Sequence, residues 1–335
     1  MNTISACECI KSDEIEKKKL KKEGSIKIDN LQAVKKQEKH LFDYEEVSVY
    51  IYKKTIDKYK ANYDILAEEC YMIGITNIYL SFSNNEFKKS DEYSNEIHKL
   101  IKEFHNKGIK VSALSFQDSS FYYNEYLLYE TLLIYNKFNS QTNDIEERFD
   151  EISADLEPHI LKESKKSIPN TYPYRWNTKN GYGIGMANDN LMKQTLKILE
   201  EVKNLNSDIV LSESIGHFFH KHALNGDMEV GTVNDFLKIC DKVIIMAYSN
   251  EPEKVIKFSE DELMASNKEK SIVIGIKTSI NTFGGEGSSS SMNNNNRNDF
   301  INKVTTIMDS CDKYKSFRGI AFFEFDGLKQ ILDKN

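Results

Sequence analysis

The chain has few prolines and tryptophans, no paired cysteine motif and no long apolar run. Its 335 residues include 4 Pro, 1 Trp and 5 Cys. The cysteines lack the spacing of a metal site, and the three in the body of the chain are interpreted as small buried thiols. No apolar run approaches the roughly 18 residues that a membrane-spanning helix needs, so the sequence predicts no transmembrane segment.

A basic surface is missing as well. The formal net charge is -7, and no basic stripe with interleaved aromatic residues occurs in the predicted folded part. The sequence therefore predicts no nucleic-acid partner. Hydrophobic residues make up 39% of the chain, with 18 Tyr and 18 Phe, which is enough for a sizeable core.

Residues 1–43 are predicted to form a charged, flexible amino-terminal segment, because both signs of charge occur with almost no apolar periodicity. Within it, Ile4-Ser5-Ala6-Cys7 resembles the end of a bacterial lipoprotein signal, where the cysteine is lipidated. The apolar region that precedes such a cysteine is absent from the sequence. Two interpretations stay open: a lipid anchor at Cys7 with a secreted or cell-surface location, or a chance match.

From residue 44 onward, apolar segments of strand length alternate with amphipathic segments of helix length. The predicted strands are 47–52, 77–82, 110–116, 149–158, 208–213, 242–248, 271–278 and 318–325. The predicted helices include 57–73, 122–138 and 259–268. Eight such units predict an α/β fold, a (β/α)₈ TIM barrel that forms a single domain over residues 44–335. An open doubly wound sheet is the alternative, but no Gly-rich phosphate loop follows the first strand.

The fourth predicted strand is unusually acidic. Its alternation places Glu151, Ser153, Asp155 and Glu157 on one face. Acids at positions i and i+2 lie about 6.6 Å apart at the backbone, where one ionised carboxylate raises the pKa of the other. Such a pair suits chemistry in which one acid holds a proton near neutral pH. In a barrel, the active site lies at the carboxyl ends of the strands, which is where Glu157 falls.

Further polar residues follow the other predicted strands and could line the same site. They are Ser81, Ser83, Ser115, Gln117, Ser212, Glu213, Tyr248, Ser249, Lys277, Thr278, Glu324 and Asp326. The loop over residues 158–185 is long enough to be functional, and it carries Tyr172, Tyr174, Trp176 and Tyr182. Its aromatic residues could stack on a ligand or pack on one another as a lid.

The pattern Asp150-x-x-Ser153-x-Asp155-x-Glu157 resembles the D-x-x-D-x-D-x-E signature of glycoside hydrolase family 18, the chitinases and endo-N-acetylglucosaminidases. Met246-Ala-Tyr248-Ser249 is similar to that family's M-x-Y-[DN] motif, and Gly319 to Asp326 falls where the family has G-x-x-x-W-x-x-D. Three positions depart from the family pattern. Ser153 replaces the inner aspartate, Ser249 replaces the acid or amide, and Phe323 replaces the floor tryptophan.

The resemblance implies a glycoside hydrolase that acts on a glycan of the N-acetylglucosamine type. Glu157 would be the general acid and base, while Asp155 and Tyr248 would hold the substrate's 2-acetamido group as it attacks the anomeric carbon. Such a mechanism needs no cofactor and no metal. The candidate substrate-binding residues are Ser153, Asp150, Met246, Phe323, Glu213, Asp326 and Trp176.

Two other functions stay open at this point. The chain could be a carbohydrate-binding barrel that has lost turnover, although the retained Glu157 argues against a complete loss. It could also be a glycosidase that uses two protein carboxylates, Glu157 with Glu213, on sugars without an acetamido group. His217, His220 and His222 could hold a transition metal or simply pack, and His159 could be a rim residue.

Overall fold

The computed structural model describes residues 40–162, 167–177, 186–279 and 288–334. Within them, eight parallel strands form a closed barrel in sequence order, and the last strand pairs with the first. The strands are β1 (Glu46–Ile51), β2 (Asn77–Ser81), β3 (Lys110–Ser115), β4 (Glu151–Ala154), β5 (Val210–Gly216), β6 (Lys242–Met246), β7 (Ile272–Lys277) and β8 (Phe317–Phe323). The predicted (β/α)₈ barrel is confirmed.

Helices lie between successive strands and follow the last one. They are α1 (Lys53–Lys58), α2 (Tyr63–Ile73), α3 (Asn84–Lys89), α4 (Asp91–His105), α5 (Tyr126–Ser140), α6 (Met186–Leu205), α7 (Phe219–Leu224), α8 (Val233–Leu237), α9 (Pro252–Ala265), α10 (Arg297–Cys311) and α11 (Phe325–Leu332). None of these helices, within the described ranges, has the length and apolar character needed to cross a membrane.

Several predicted boundaries differ from the structure. The predicted helix 57–73 is two helices, because Ala61 has a left-handed backbone (φ 64°) that interrupts helical hydrogen bonding. β4 ends at Ala154, well before Pro158, and β5 continues past Glu213 to Gly216. Two short 3₁₀ turns, Ser288–Ser290 and Met292–Asn294, precede α10.

The apolar residues form two layers, as strand alternation in a barrel requires. The larger layer lies between the strands and the surrounding helices. The smaller one fills the barrel interior with one residue from each of six strands: Tyr50, Tyr79, Leu114, Ile244, Val273 and Ala321. The side chains that share the face of these six residues therefore point into the barrel.

A buried ion network fills the amino-terminal end of the barrel interior. The Lys242 Nζ atom lies 2.9 Å from both the Glu46 and the Glu151 carboxylates, and Arg318 contacts Glu46 at 2.6 Å. Burial alone would raise the pKa of Glu46, but the charges of Lys242 and Arg318 lower it to about 2. The network stays charged at neutral pH, and it lies at the end of the barrel opposite the carboxyl ends of the strands.

The described part of the predicted amino-terminal segment packs on the barrel. Phe42 is buried, and its N–H donates to the Ile73 carbonyl at 3.0 Å. Gly74 permits this approach, because a β-carbon there would lie 2.0 Å from the Phe42 oxygen. Residues 1–39, with Cys7, lie outside the described residues, so the flexible segment and the lipid anchor stay predictions.

Candidate active site

Asp155 and Glu157 lie at the carboxyl end of β4, where regular pairing with β5 has stopped. The Asp155 N–H still donates to the Ser115 carbonyl of β3 at 3.1 Å. Asp155 and Glu157 are partly exposed, whereas Leu156 between them is buried. The strand alternation thus continues past the end of the strand and turns both carboxylates to the same side.

Asp155 is held by a side chain of β3's following loop. The Gln117 amide lies 3.3 Å from Asp155 Oδ2 and 3.3 Å from the Tyr52 hydroxyl, so it can donate to both. Burial raises the pKa of Asp155 to about 6, and the hydrogen bond from Gln117 opposes this rise. Asp155 therefore exchanges its proton close to neutral pH, and burial is the main cause of this shift.

His159 is the neighbour of Glu157 on the next turn of chain. Its Nε2 atom lies 3.5 Å from Glu157 Oε1. Burial, together with the charges of Lys162 and His217, lowers the pKa of His159 to about 4. The imidazole is therefore neutral at pH 7, and its edge contacts with Phe218 and Phe219 fix its orientation. A neutral imidazole adds no positive charge beside Glu157.

An aromatic floor lies beside the two acids. The Phe323 ring stacks on Tyr248 at 5.8 Å between centroids and 29° between planes, and it contacts Tyr50 and Tyr52 edge-on. Burial raises the pKa of Tyr248 well above its ordinary value, so the phenol keeps its proton. The floor combines an apolar ring with a hydroxyl donor, a combination that suits the face and the edge of a sugar.

A polar cavity of about 320 Å³ adjoins Asp155 through Gln117. Its lining is Gln117, Asp118, Ser119, Ser120, Tyr123 and Ser167. The volume is within the range of small-molecule sites. Hydroxyl and amide groups dominate the lining, so the cavity offers hydrogen bonds to a polar ligand rather than an apolar pocket.

Glu213 does not face the site, which corrects the prediction that it contacts substrate. The Ser214 hydroxyl meets the Tyr50 hydroxyl at 3.1 Å inside the barrel. Because strand side chains alternate, Glu213 points outward, into the layer between strands and helices, and it is fully buried. The predicted end of β5 at residue 213 was wrong, and with it the pairing of Glu213 with Glu157 as two catalytic carboxylates.

Asp150 and Asp326 also lie away from the acid pair. Asp150 is at the amino-terminal end of β4, where it accepts the Val111 N–H at 2.7 Å and contacts His105 at 2.9 Å. Asp326 lies in the first turn of α11 and accepts the Thr55 hydroxyl at 3.1 Å. Both acids have structural partners there, so neither belongs to the candidate site.

Two serines replace family acids, and neither contacts Asp155 in the structure. Ser153 is fully buried, and its hydroxyl has no hydrogen-bond partner among the described residues, so it forms no hydrogen bond with Asp155. The Ser249 hydroxyl accepts the Glu251 N–H at 3.1 Å in the turn that precedes α9. Met246, which begins the motif that ends in Ser249, is the last residue of β6 and is partly exposed.

Trp176 packs in the core. It is only 2% exposed, and its ring lies 5.8 Å from that of Phe219. The loop aromatics had two open interpretations, and for Trp176 the structure favours packing over stacking on a ligand. Residues 178–185, including Tyr182, lie outside the described residues.

The three nearby histidines face three different partners. The Nδ1 atom of His217 lies 3.1 Å from the Met246 carbonyl oxygen, and the His217 ring stacks on Phe258. His220 accepts the Val233 N–H, and His222 pairs with Asp227. Across the described ranges, no group of three potential ligands could hold a metal ion. The structure thus favours the packing interpretation of these residues.

The role of Gln117 was not predicted from the sequence. In the sequence, Gln117 is only one of many polar residues that follow a strand. Its contact with Asp155 depends on the register of β3 against β4, in which Ser115 pairs with Ala154. The signal that could have found it is positional: Gln117 is two residues past the end of β3, as Asp155 is just past the end of β4.

Comparisons with known proteins agree with the fold. No protein-family model and no curated protein sequence matches the chain. Among solved structures, a chitinase from Bacteroides thetaiotaomicron is similar with a TM-score of 0.50 and 12% identity, over 87% of this chain and 94% of that one. The beta-glycosidase BGL167 is similar with a TM-score of 0.51 and 10% identity, over 85% and 88% of the two chains.

These similarities define the class of fold: a (β/α)₈ barrel like those of chitinases and glycosidases. The predicted likeness to chitinase-type barrels is confirmed at this level. Identities of 10–12% carry no information on substrate or activity. Function therefore has to be argued from the residues at the carboxyl end of the barrel.

Proposed function

We propose that the chain is a glycoside hydrolase that cleaves N-acetylhexosamine-containing glycans by substrate-assisted, retaining catalysis, with Glu157 as general acid and base. One observation carries the proposal. Asp155 and Glu157 stand together at the carboxyl end of β4, beside the aromatic floor of Tyr248 and Phe323. In a (β/α)₈ barrel, this end of the strands is where active sites lie.

In the first step, Glu157 gives its proton to the glycosidic oxygen as the bond from that oxygen to the anomeric carbon breaks. The acetamido carbonyl oxygen of the substrate forms the new bond to the anomeric carbon. Asp155 accepts the acetamido N–H and stabilises the positive charge that develops there, and the Tyr248 hydroxyl donates to the acetamido oxygen. Water then opens the cyclic intermediate and returns a proton to Glu157.

The pKa of Asp155, about 6, fits this role. A carboxyl group that titrates near neutral pH can share a proton with its neighbour during the reaction. Gln117 donates a hydrogen bond to Asp155, whereas Ser153, at the position of the family's inner aspartate, has no hydrogen-bond partner among the described residues. A neutral amide as the partner of Asp155, in place of a second carboxylate, does not raise the pKa of Asp155 by charge repulsion.

The second candidate is a glycan-binding barrel with little or no turnover. The observation that favours it is the absence of any acid at positions 153 and 249, where Ser153 and Ser249 stand. Binding alone would use the aromatic floor and the polar cavity but would not need the proton of Glu157.

The test is release of reducing sugar from a panel of N-acetylglucosamine glycans by wild type and Glu157→Gln. We expect turnover in the wild type and its loss in the variant, with glycan affinity kept. Asp150→Asn is the matched control, because it removes an acid of the same stretch at the opposite end of the barrel. Binding without turnover in both proteins would leave the second candidate. Inhibition by a thiazoline mimic of the cyclic intermediate would separate substrate assistance from a two-carboxylate mechanism.

A further inference from the structure

Glu213 is a buried acid that the mechanism above does not use. It is 0% exposed, and it lies outside the barrel wall, behind the two candidate catalytic residues. Its Oε1 atom accepts the Leu156 N–H at 3.0 Å. Its Oε2 atom has no hydrogen-bond partner in the part of the chain that the structure describes.

The Leu156 N–H lies in a place where the sheet offers it no backbone acceptor. Pairing between β4 and β5 ends at Ala154 and Glu213, so the next residues of β4 leave the ladder. The Asp155 N–H is satisfied by β3, but the Leu156 N–H points the other way, toward β5. A buried N–H needs a partner, and here a side chain takes the place of the ladder carbonyl.

We infer that Glu213 is a positioning residue: its carboxyl group holds the Leu156 peptide and thereby fixes Asp155 and Glu157, which flank that peptide, at the candidate site. This inference rests on the proposed function for its catalytic consequence, while the contact itself does not depend on it. Glu213 touches no substrate, since it faces away from the barrel interior.

The protonation state of Glu213 suits this task. Burial raises its pKa well above the ordinary value, and the charges of Asp155 and Glu157 add to the rise. Tyr122 and Cys240 also interact electrostatically with Glu213, and burial raises the pKa of both. This rise favours the neutral form of the Glu213 carboxyl group, which adds no negative charge behind the acid pair. A glutamine at position 213, which is neutral and keeps a carbonyl acceptor, should therefore hold the Leu156 N–H equally well.

The experiment compares Glu213→Gln with Glu213→Leu in the full chain, with Glu213→Met as a second apolar variant in case leucine disturbs packing. Glu262 provides the matched control. It is 1% exposed, it lies on α9 in the outer layer, and burial raises its pKa to about 8. The readouts are hydrogen exchange at the Leu156 amide, kcat and KM on the glycan that the wild type cleaves best, and the pH profile of kcat.

We expect Glu213→Leu and Glu213→Met to speed exchange at the Leu156 amide by at least about tenfold. They should lower kcat by about 100-fold, the loss that follows a displacement of about 1 Å in a reacting group, with KM little changed. Glu213→Gln should restore both readouts and keep the pH profile, and Glu262→Leu should change neither.

Two results would overturn the inference: unchanged exchange at Leu156 in both apolar variants, or a Glu213→Gln protein as impaired as Glu213→Leu. A wild type without turnover on any glycan would refute the proposed function instead. The exchange rates at Leu156 would still decide whether Glu213 holds this peptide, so the two failures are distinguishable.

Discussion

Replacing Asp155 by asparagine should stabilise the protein at neutral pH. The pKa of Asp155 is raised from 3.8 to about 6, chiefly by burial. Each pKa unit corresponds to about 1.4 kcal/mol, so ionising this carboxyl in the folded chain costs about 3 kcal/mol more than in the unfolded chain. Asparagine removes that cost and keeps an oxygen that can accept the Gln117 amide hydrogen.

The sign and the pH window follow from the two pKa values. Below about pH 3.8, the carboxyl is protonated in both states, and the substitution should not change the free energy of unfolding. Between about pH 3.8 and 6, the unfolded chain ionises first, so the advantage of asparagine grows. Above that window, it should reach a plateau of about 3 kcal/mol, while the proposed turnover is lost.

The assay is urea denaturation followed by circular dichroism at a series of pH values from 3 to 8 (about six points suffice for the curve). Asp241→Asn is the control of opposite sign. Burial would raise the pKa of Asp241, but the Leu211 N–H and Lys203 lower it overall, so this substitution should destabilise the protein at neutral pH. An Asp155→Asn protein that is less stable than wild type at pH 7, or a difference that does not vary with pH, would refute the reasoning.

Three further predictions follow from contacts in the structure. Lys242→Met should lower the free energy of unfolding at pH 7 by about 3–5 kcal/mol in urea denaturation, because it removes the cation that the buried Glu46 and Glu151 carboxylates share. Glu46→Gln added to it should recover part of the loss, and full stability of the single variant would contradict the network. Gln117→Ala should lower kcat/KM about tenfold, the equivalent of one hydrogen bond of about 1.4 kcal/mol, and should raise the pKa of Asp155 in carbon NMR titrations, whereas an unmoved pKa would exclude the contact. Gly74→Ala should cost more than about 1 kcal/mol in thermal unfolding, since Gly74 has φ 93° and a β-carbon would overlap a backbone carbonyl; a neutral effect would mean that the segment before β1 gives way.

The barrel could be predicted from the sequence because largely apolar segments of strand length alternate with amphipathic segments of helix length. The acid pair at the end of β4 could also be predicted, since period-2 alternation decides which residues share a side. Glu213 could not be placed correctly. Its orientation depends on where β5 ends, and Ser214, which continues the strand, has the polarity of a loop residue but meets Tyr50 inside the barrel.

Gln117 and Trp176 show which contacts the sequence could not predict. Gln117 reaches Asp155 across two strands, and the sequence alone contains no sign of that register. Trp176 is an aromatic residue of the kind that stacks on ligands. Its burial against Phe219 depends on how a long loop folds back on α7. Long-range register and loop packing are the parts of the site that local patterns do not encode.

The early end of β4 has an evolutionary consequence. A ladder hydrogen bond joins two backbones, so it persists whatever side chains a lineage accumulates. The peptide between Asp155 and Glu157 depends instead on one side chain, that of residue 213. A single codon change on a different strand could therefore loosen the acid pair without touching either acid or the barrel. Homologues with intact acids but an apolar residue at this position would be the first in which to look for lost turnover.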